Sequence, residues 1–373
     1  MSCFSGVLNQ SDAFASLNRA WTTGSRPVGA VGLSETGKAL VLHALYEQQK
    51  KPLLVLTPDE ASAVKLTEDL RTLQGDVLLY PAREMNFVQV AGASHEYELL
   101  RLDVLSRMAA GAYTAVVAPV AAACQLTMPP AELLGRTRTV KVGDDVPPGE
   151  LVQALVAAGY VRYDQVDGTS QFALRGGILD IFPPGRTEPV RLEFWGDTIE
   201  SMTAFDLATQ RRTEALNSLR ITPSAEVLFA DAEKTAKAIE ALAAGLRGKA
   251  TKAREKLLTD ADTLRKTGTL PCKDKYLLLV YQSNGLFDYC NGLLAVCDSA
   301  KVKEKCNNAN RLLQEDMKWL VDQGSLCKGL DRYTVDFDTL TEIYTEKKAL
   351  YLDSMPRGSF DTPVGHLSDF RLQ

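Results

Sequence analysis

The chain has 373 residues, 45% of them hydrophobic and 24% charged, with 42 Lys+Arg against 47 Asp+Glu. That length suits two or three domains of ordinary globular composition, and a net charge of −5 argues against a nonspecific grip on nucleic acid. No apolar run approaches the roughly 20 residues of a membrane span, and no basic region precedes an apolar core as in a secretory signal, so no membrane partner and a cytoplasmic location are expected.

The first third alternates strand and helix. Ala30–Val31 ends a short strand that enters a Gly-containing turn, and Ala39–Gln48 is a helix. Pro52–Leu56 is a continuous apolar run, as in a buried parallel strand. A helix over Asp59–Leu73 and a strand over Asp76–Tyr80 follow. His95–Ala109 reads as an amphipathic helix whose apolar face is marked by Leu99, Leu100, Val104 and Leu105. Thr114–Pro119 is a further strand that closes the series. Such βαβ alternation implies a doubly wound sheet covered by helices.

Met128-Pro-Pro130 marks a boundary, after which the pattern changes. Thr137–Val142 reads as a strand and Pro148–Ala158 as a helix, and then short antiparallel strands run to Pro223. Phe172–Arg175 alternates, with Phe172 and Leu174 inward and Ala173 and Arg175 outward. Arg175-Gly-Gly177 permits a turn or bulge, and Ile178–Phe182 stops at Pro183-Pro-Gly185. Val190–Trp195 alternates throughout, with Val190, Leu192 and Phe194 on one face and Arg191, Glu193 and Trp195 on the other. Gly196-Asp197 is a hairpin turn into Thr198–Phe205. A large aromatic between charges is unusual on a solvated face. Trp195 is either covered by another part of the chain or part of a surface that binds protein or DNA. Asp180 and Asp206 sit where strand ends and turns routinely carry Asp.

After Pro223 the helical period returns. Ala230–Lys266 reads as one or two long helices, and apolar runs follow at Tyr276–Val280 and Leu293–Cys297. A helix over Lys301–Gln323 and a strand over Ala349–Leu352 come next, and Ser359–Gln373 reads as a linker. The economical architecture is one α/β domain, 1–127 and 224–358, interrupted by an α+β insert at 128–223.

Gly32-Leu-Ser-Glu-Thr-Gly-Lys38-Ala39 fits the phosphate-binding loop G-x-x-x-x-G-K-[S/T] except at its last position. In a working loop the glycines let backbone N–H groups approach phosphate, Lys reaches the β/γ oxygens and the final hydroxyl ligates magnesium. Ala39 offers no oxygen, and Glu35 adds a negative charge to the cradle formed with Gly32, Gly37 and Lys38. Leu293–Asp298 is an apolar strand ending in an acid, followed by Ser299 where a hydrolysing motor would place Glu. The two defects point to descent from a nucleotide-binding fold without present catalysis. The seven cysteines, Cys3, Cys124, Cys272, Cys290, Cys297, Cys306 and Cys327, form no C-x-x-C pair. With only His43, His95 and His366, no metal and no cofactor are expected, and the thiols read as reduced and mostly buried.

Phe172–Gly185, Val190–Asp197, Ile199-Glu-Ser201 and Phe205–Arg211 closely resemble the UvrB-like module of bacterial transcription-repair coupling factor (Mfd). The resemblance extends from about Gly32 to about Leu367. It implies a RecA-like doubly wound domain with a degenerate phosphate loop, interrupted by a small UvrA-binding α+β domain. It also implies that two arginines and an aromatic on neighbouring strands dock UvrA, which carries over to Arg175, Arg191 and Trp195. Glu193 and Phe194 match the related UvrB contact set, although alternation turns Phe194 inward. Family members commonly have Phe where this chain has Trp195. The resemblance further implies that full-length members engage RNA polymerase and double-stranded DNA through regions absent here. The function expected is therefore non-catalytic recruitment of UvrA to stalled transcription. The alternative is a UvrB-like, ATP-dependent DNA-damage recogniser. Such a protein uses an aromatic-rich hairpin, and the matching stretch 80–94 is short and has no cluster of tyrosines.

Overall fold

A computed structural model describes residues 8, 10–89, 95–246, 251–281, 285–355 and 359–371. The chain opens with α1 (Asp12–Thr23), β1 (Val28–Val31) and α2 (Glu35–Gln49). Next come β2 (Leu53–Thr57), α3 (Glu60–Leu73), β3 (Val77–Leu79), α4 (Glu96–Ala109) and β4 (Ala115–Pro119). Ser34 and Asp59 start their helices by accepting a backbone N–H three residues on, from Gly37 and Ser62 respectively, so two of the first orphan donors are satisfied.

The middle of the chain forms β5 (Arg138–Lys141), α5 (Pro148–Ala157) and β6 (Val161–Arg162), then β7 (Gln171–Arg175), β8 (Ile178–Ile181), β9 (Val190–Trp195) and β10 (Thr198–Phe205). β11 (Arg212–Ala215) and β12 (Ser218–Ile221) complete it. The chain then returns to helices α6 (Ala232–Gly245) and α7 (Thr251–Thr267), so the Ala230–Lys266 stretch is two helices. β13 (Leu293–Cys297), α8 (Ser299–Asp322), α9 (Phe337–Glu346), β14 (Leu350–Asp353) and β15 (His366–Asp369) end the described chain.

The first sheet is parallel, in the order β15-β1-β14-β13-β2-β4-β3. Both faces are covered by helices, which is why β2, β4 and β13 read as unbroken apolar runs. Leu54, Leu56, Leu294 and Val296 pack on one side with Leu102, Leu105, Val302 and Leu340. Leu53, Val55, Ala295 and Cys297 pack on the other with Phe14, Leu42, Leu45 and Leu70. The fold is thus an α/β body with a separate small sheet domain. In that domain β11-β10-β9-β8-β7-β6 form a six-stranded sheet, antiparallel except for the β6–β7 pair, and β12 pairs with β5. Its core joins Phe172, Leu179, Ile181, Val190, Leu192, Ile199 and Met202 to Leu151 and Leu155 of α5.

The structure corrects two expectations. Ser359–Gln373 is not a linker over its described part: β15 adds to the edge of the body sheet, with Val28–Val31 in parallel register with His366–Asp369. A four-residue strand carrying His, Ser and Asp gave no periodic signal of its own. In α4, Leu100 is exposed rather than on the core face, whereas Arg101 is fully buried. Arg101 is drawn inward because its Nε and Nη2 donate to Glu226 at 2.6 and 3.2 Å. Thr127 Oγ1 donates to the same carboxylate at 2.6 Å. Arg83, also buried, lies 3.1 Å from Glu226 and donates to both oxygens of Asp274 at 2.8 and 3.0 Å. This desolvated network fastens the returning strand of chain after β12 to the body, and no contiguous motif in the sequence announces it.

Candidate functional site: the outer face of the small sheet and the altered phosphate loop

Strand register brings the candidate residues together. Asp180 of β8 stands opposite Arg191 of β9, and Ile178 stands opposite both Glu193 and Arg175. Period-two alternation therefore puts Arg175, Ile178, Asp180, Arg191, Glu193 and Trp195 on one face. Trp195 closes a two-residue hairpin, paired with Thr198. Gly196 supplies the φ of +62° that the first central position of such a turn requires. The side chain held out there is 80% exposed, which decides the question left by alternation: nothing among the described residues covers Trp195.

The other candidates differ in how free they are. The Arg175 side chain is 47% exposed, yet its Nη2 donates to Asp180 Oδ2 at 2.6 Å. Arg191 is only 16% exposed and donates to Asp180 twice, Nε to Oδ1 at 2.7 Å and Nη2 to Oδ2 at 2.9 Å. Its guanidinium lies 4.5 Å from the Phe205 ring centroid, a cation–π distance. The hydrogen bonds to Asp180 hold the Arg191 pKa above its usual value against the cost of burial. Glu193 accepts from Ser201 Oγ at 2.7 Å and pairs with Arg212. Phe194 packs against the domain core, so it supports the face from behind. At the far end of the face, Val166, Ala173, Phe182 and Leu207 form a small cluster of their own. The open part is thus Trp195 with Arg175 and Ile178 beside it. Sequence reasoning passed over Asp180 as an ordinary strand residue. The pairing of β8 with β9 is the signal that exposes its role, because it sets an acid directly across from Arg191.

The altered phosphate loop lies at the C-terminal end of β1. Lys38 is 1% exposed. Its Nζ donates to Asp298 Oδ2 at 2.6 Å and to Glu35 Oε1 at 2.9 Å. Burial opposes the charge on Lys38, but these carboxylates outweigh it and raise the pKa above the ordinary value. Burial likewise pushes the Asp298 carboxyl up, and the hydrogen bond from Lys38 more than reverses it, so the pKa falls below the usual one. Asp298 is held at φ +53°, uncommon for a residue other than Gly, and its Oδ1 accepts from Ser354 N and Oγ at 3.2 and 3.1 Å. Ser299 is tied to Asp353, N and Oγ each at 2.8 Å. Ala39 is fully buried. Gly32 has φ +79°, and a Cβ there would lie 2.4 Å from Arg371 Cγ, so the segment after β15 rests on the loop. A phosphate approaching this loop would meet two carboxylates and a lysine already engaged. Of the stretch 80–94, where a DNA-reading hairpin would lie, residues 90–94 are outside the described residues, as is Cys3.

Residues 139–226 match the family described as UvrB interaction domain. These residues include nearly all of the small domain's strands and every residue of the exposed face. The matched segment is thus set into an α/β body. Over 334 residues, 86% of its length, it is 33% identical to the transcription-repair-coupling factor of Bacillus subtilis. It is 33% identical over 222 residues to that of Myxococcus xanthus and 32% over 189 residues to that of Haemophilus influenzae, covering 56% and 50% of the chain. The chain spans 28%, 18% and 16% of the lengths of these three relatives. The resemblance to transcription-repair coupling factors accordingly extends over most of the chain. Among the described residues no helix is long and apolar enough to cross a membrane.

Proposed function

We propose that this module recruits UvrA through the outer face of its small sheet and does no catalysis of its own, bringing excision repair to stalled transcription. The observation that carries the reading is Trp195, the most exposed large apolar side chain of the described residues, held on a two-residue hairpin on the same face as Arg175 in the matched segment. An aromatic anchor next to an arginine is the composition of interface hot spots. Arg175 offers a fork to a carboxylate of the partner, and Trp195 offers apolar area that water leaves on docking. The engaged Lys38, the missing hydroxyl at Ala39 and the Arg371 segment over Gly32 support a loop that takes no nucleotide in the way a motor does. RNA polymerase and double-stranded DNA would be engaged by other regions of a longer protein.

The test is a pull-down of UvrA by the wild-type chain and by Trp195→Ala. Truncating a central anchor costs about 2 kcal/mol or more, so retention should fall by roughly thirtyfold. Equal retention by the two chains would remove Trp195 from the docking site, and no retention by either would remove UvrA as the partner.

A further inference from the structure

Asp180 is 1% exposed, yet it lies on the face that the proposed partner would meet. Three charge-assisted bonds converge on it, two from Arg191 and one from Arg175, and they occupy both of its oxygens. Each arginine has a further restraint. Arg191 Nη2 reaches Gln210 Oε1 at 3.3 Å, and Arg175 Nη1 reaches the Asp164 carbonyl at 3.4 Å. A free surface arginine loses much rotamer freedom on docking, and a fork fixed beforehand loses less.

We propose that Asp180 is a positioning residue for docking: it aims Arg175 and Arg191, and it leaves their corner with one net positive charge, suited to a single partner carboxylate next to an apolar pocket for Trp195. This deepens the UvrA reading and rests on it. The neighbouring Glu193–Arg212 pair is neutral and adds no second cation to the corner. Charge and orientation make opposite demands here. Replacing Asp180 with Asn makes the corner more positive, so attraction alone would tighten binding to an acidic patch. Loss of aim would weaken it.

The experiment uses the full chain with three readouts: UvrA affinity, the urea unfolding midpoint, and the NMR signals of the arginine Nε–H groups. In the wild type, Arg191 should show hindered guanidinium rotation before any partner is added. Asp180→Asn should free that rotation and weaken UvrA binding about tenfold, as loss of a contact supporting an interface anchor does. In an Arg175→Ala/Arg191→Ala background the same change should cost almost no further affinity, because there is nothing left to aim. Unchanged or tighter binding by Asp180→Asn overturns the proposal. So does an equal loss in both backgrounds, which would mean that Asp180 serves the fold alone. If Asp180→Asn fails to fold, the wild-type signals decide: freely rotating guanidinium groups in the wild type overturn it, and hindered rotation sustains it. Hindered rotation in a wild type that does not bind UvrA would reject the partner and leave the positioning intact.

Discussion

At Lys38 one cation meets two carboxylates, whereas at Asp180 one carboxylate meets two cations. In the first cluster the shared ion is buried: Lys38 is 1% exposed, although Glu35 keeps half of its side chain in solvent, and the segment around Arg371 lies over Gly32 of the same loop. The second opens outward, with Arg175 half exposed and an unshielded Trp195 nearby. The first joins the start of α2 to the end of β13, the second spans β7, β8 and β9, and both use the same kinds of bonds. The stoichiometry decides what each can do. Excess negative charge in a former phosphate cradle repels the ligand the loop is shaped for. Excess positive charge beside an exposed aromatic leaves donors and apolar area unspent, which is what a docking surface needs.

Breaking the cluster around buried Lys38 should give the largest effect. Lys38→Met would leave Asp298, only 13% exposed, without its cation, and stranding a buried charge costs about 3 kcal/mol or more, read as a fall in the urea unfolding midpoint. A midpoint within experimental scatter of the wild type would mean that the loop is not held by this triad. On the open side, Trp195→Ala should leave the unfolding free energy within about 0.5 kcal/mol of wild type, the usual range for an exposed site, while UvrA binding falls. The contrast between the regions fails if Trp195→Ala unfolds the domain.

Acid sharpens the contrast further. The Asp298 pKa is depressed in the folded state, so the stability it contributes is present above the unfolded value of about 3.9 and is lost as the pH falls through the lower folded value. Unfolding midpoints taken from about pH 6 down to about pH 3 should therefore decline more steeply for the wild type than for Asp298→Asn. Parallel curves would deny Asp298 its ion-pairing role. The smallest expected effect is none at all: titrating Mg-ATP into the chain should release no binding heat, because Lys38 is engaged and Ala39 supplies no metal ligand. Magnesium-dependent binding would revive the UvrB-like reading.

Much of this was legible in the sequence, for identifiable reasons. Buried parallel strands such as Leu53–Thr57 and Leu293–Cys297 announce themselves as apolar runs, and Val190–Trp195 announces its two faces by alternation. The defects at Ala39 and Ser299 were visible because a motif fixes what should stand there. The misses share a physical origin, for they depend on partners distant along the chain. Arg101 is inside because Glu226 waits there, and neither residue looks apolar. His366–Asp369 becomes a strand because β1 has a free edge to pair with. The resemblance assigns Arg191 to docking. That side chain is largely committed to Asp180, a fact visible only once β8 and β9 are in register.

The most direct measurement is hydrogen exchange across the full chain with and without UvrA. Docking at the open face should slow backbone exchange over residues 175–198, where Arg175, Ile178 and Trp195 lie, and leave the loop around Lys38 unchanged. Protection confined to other segments, with 175–198 exchanging as in the free chain, would contradict the account.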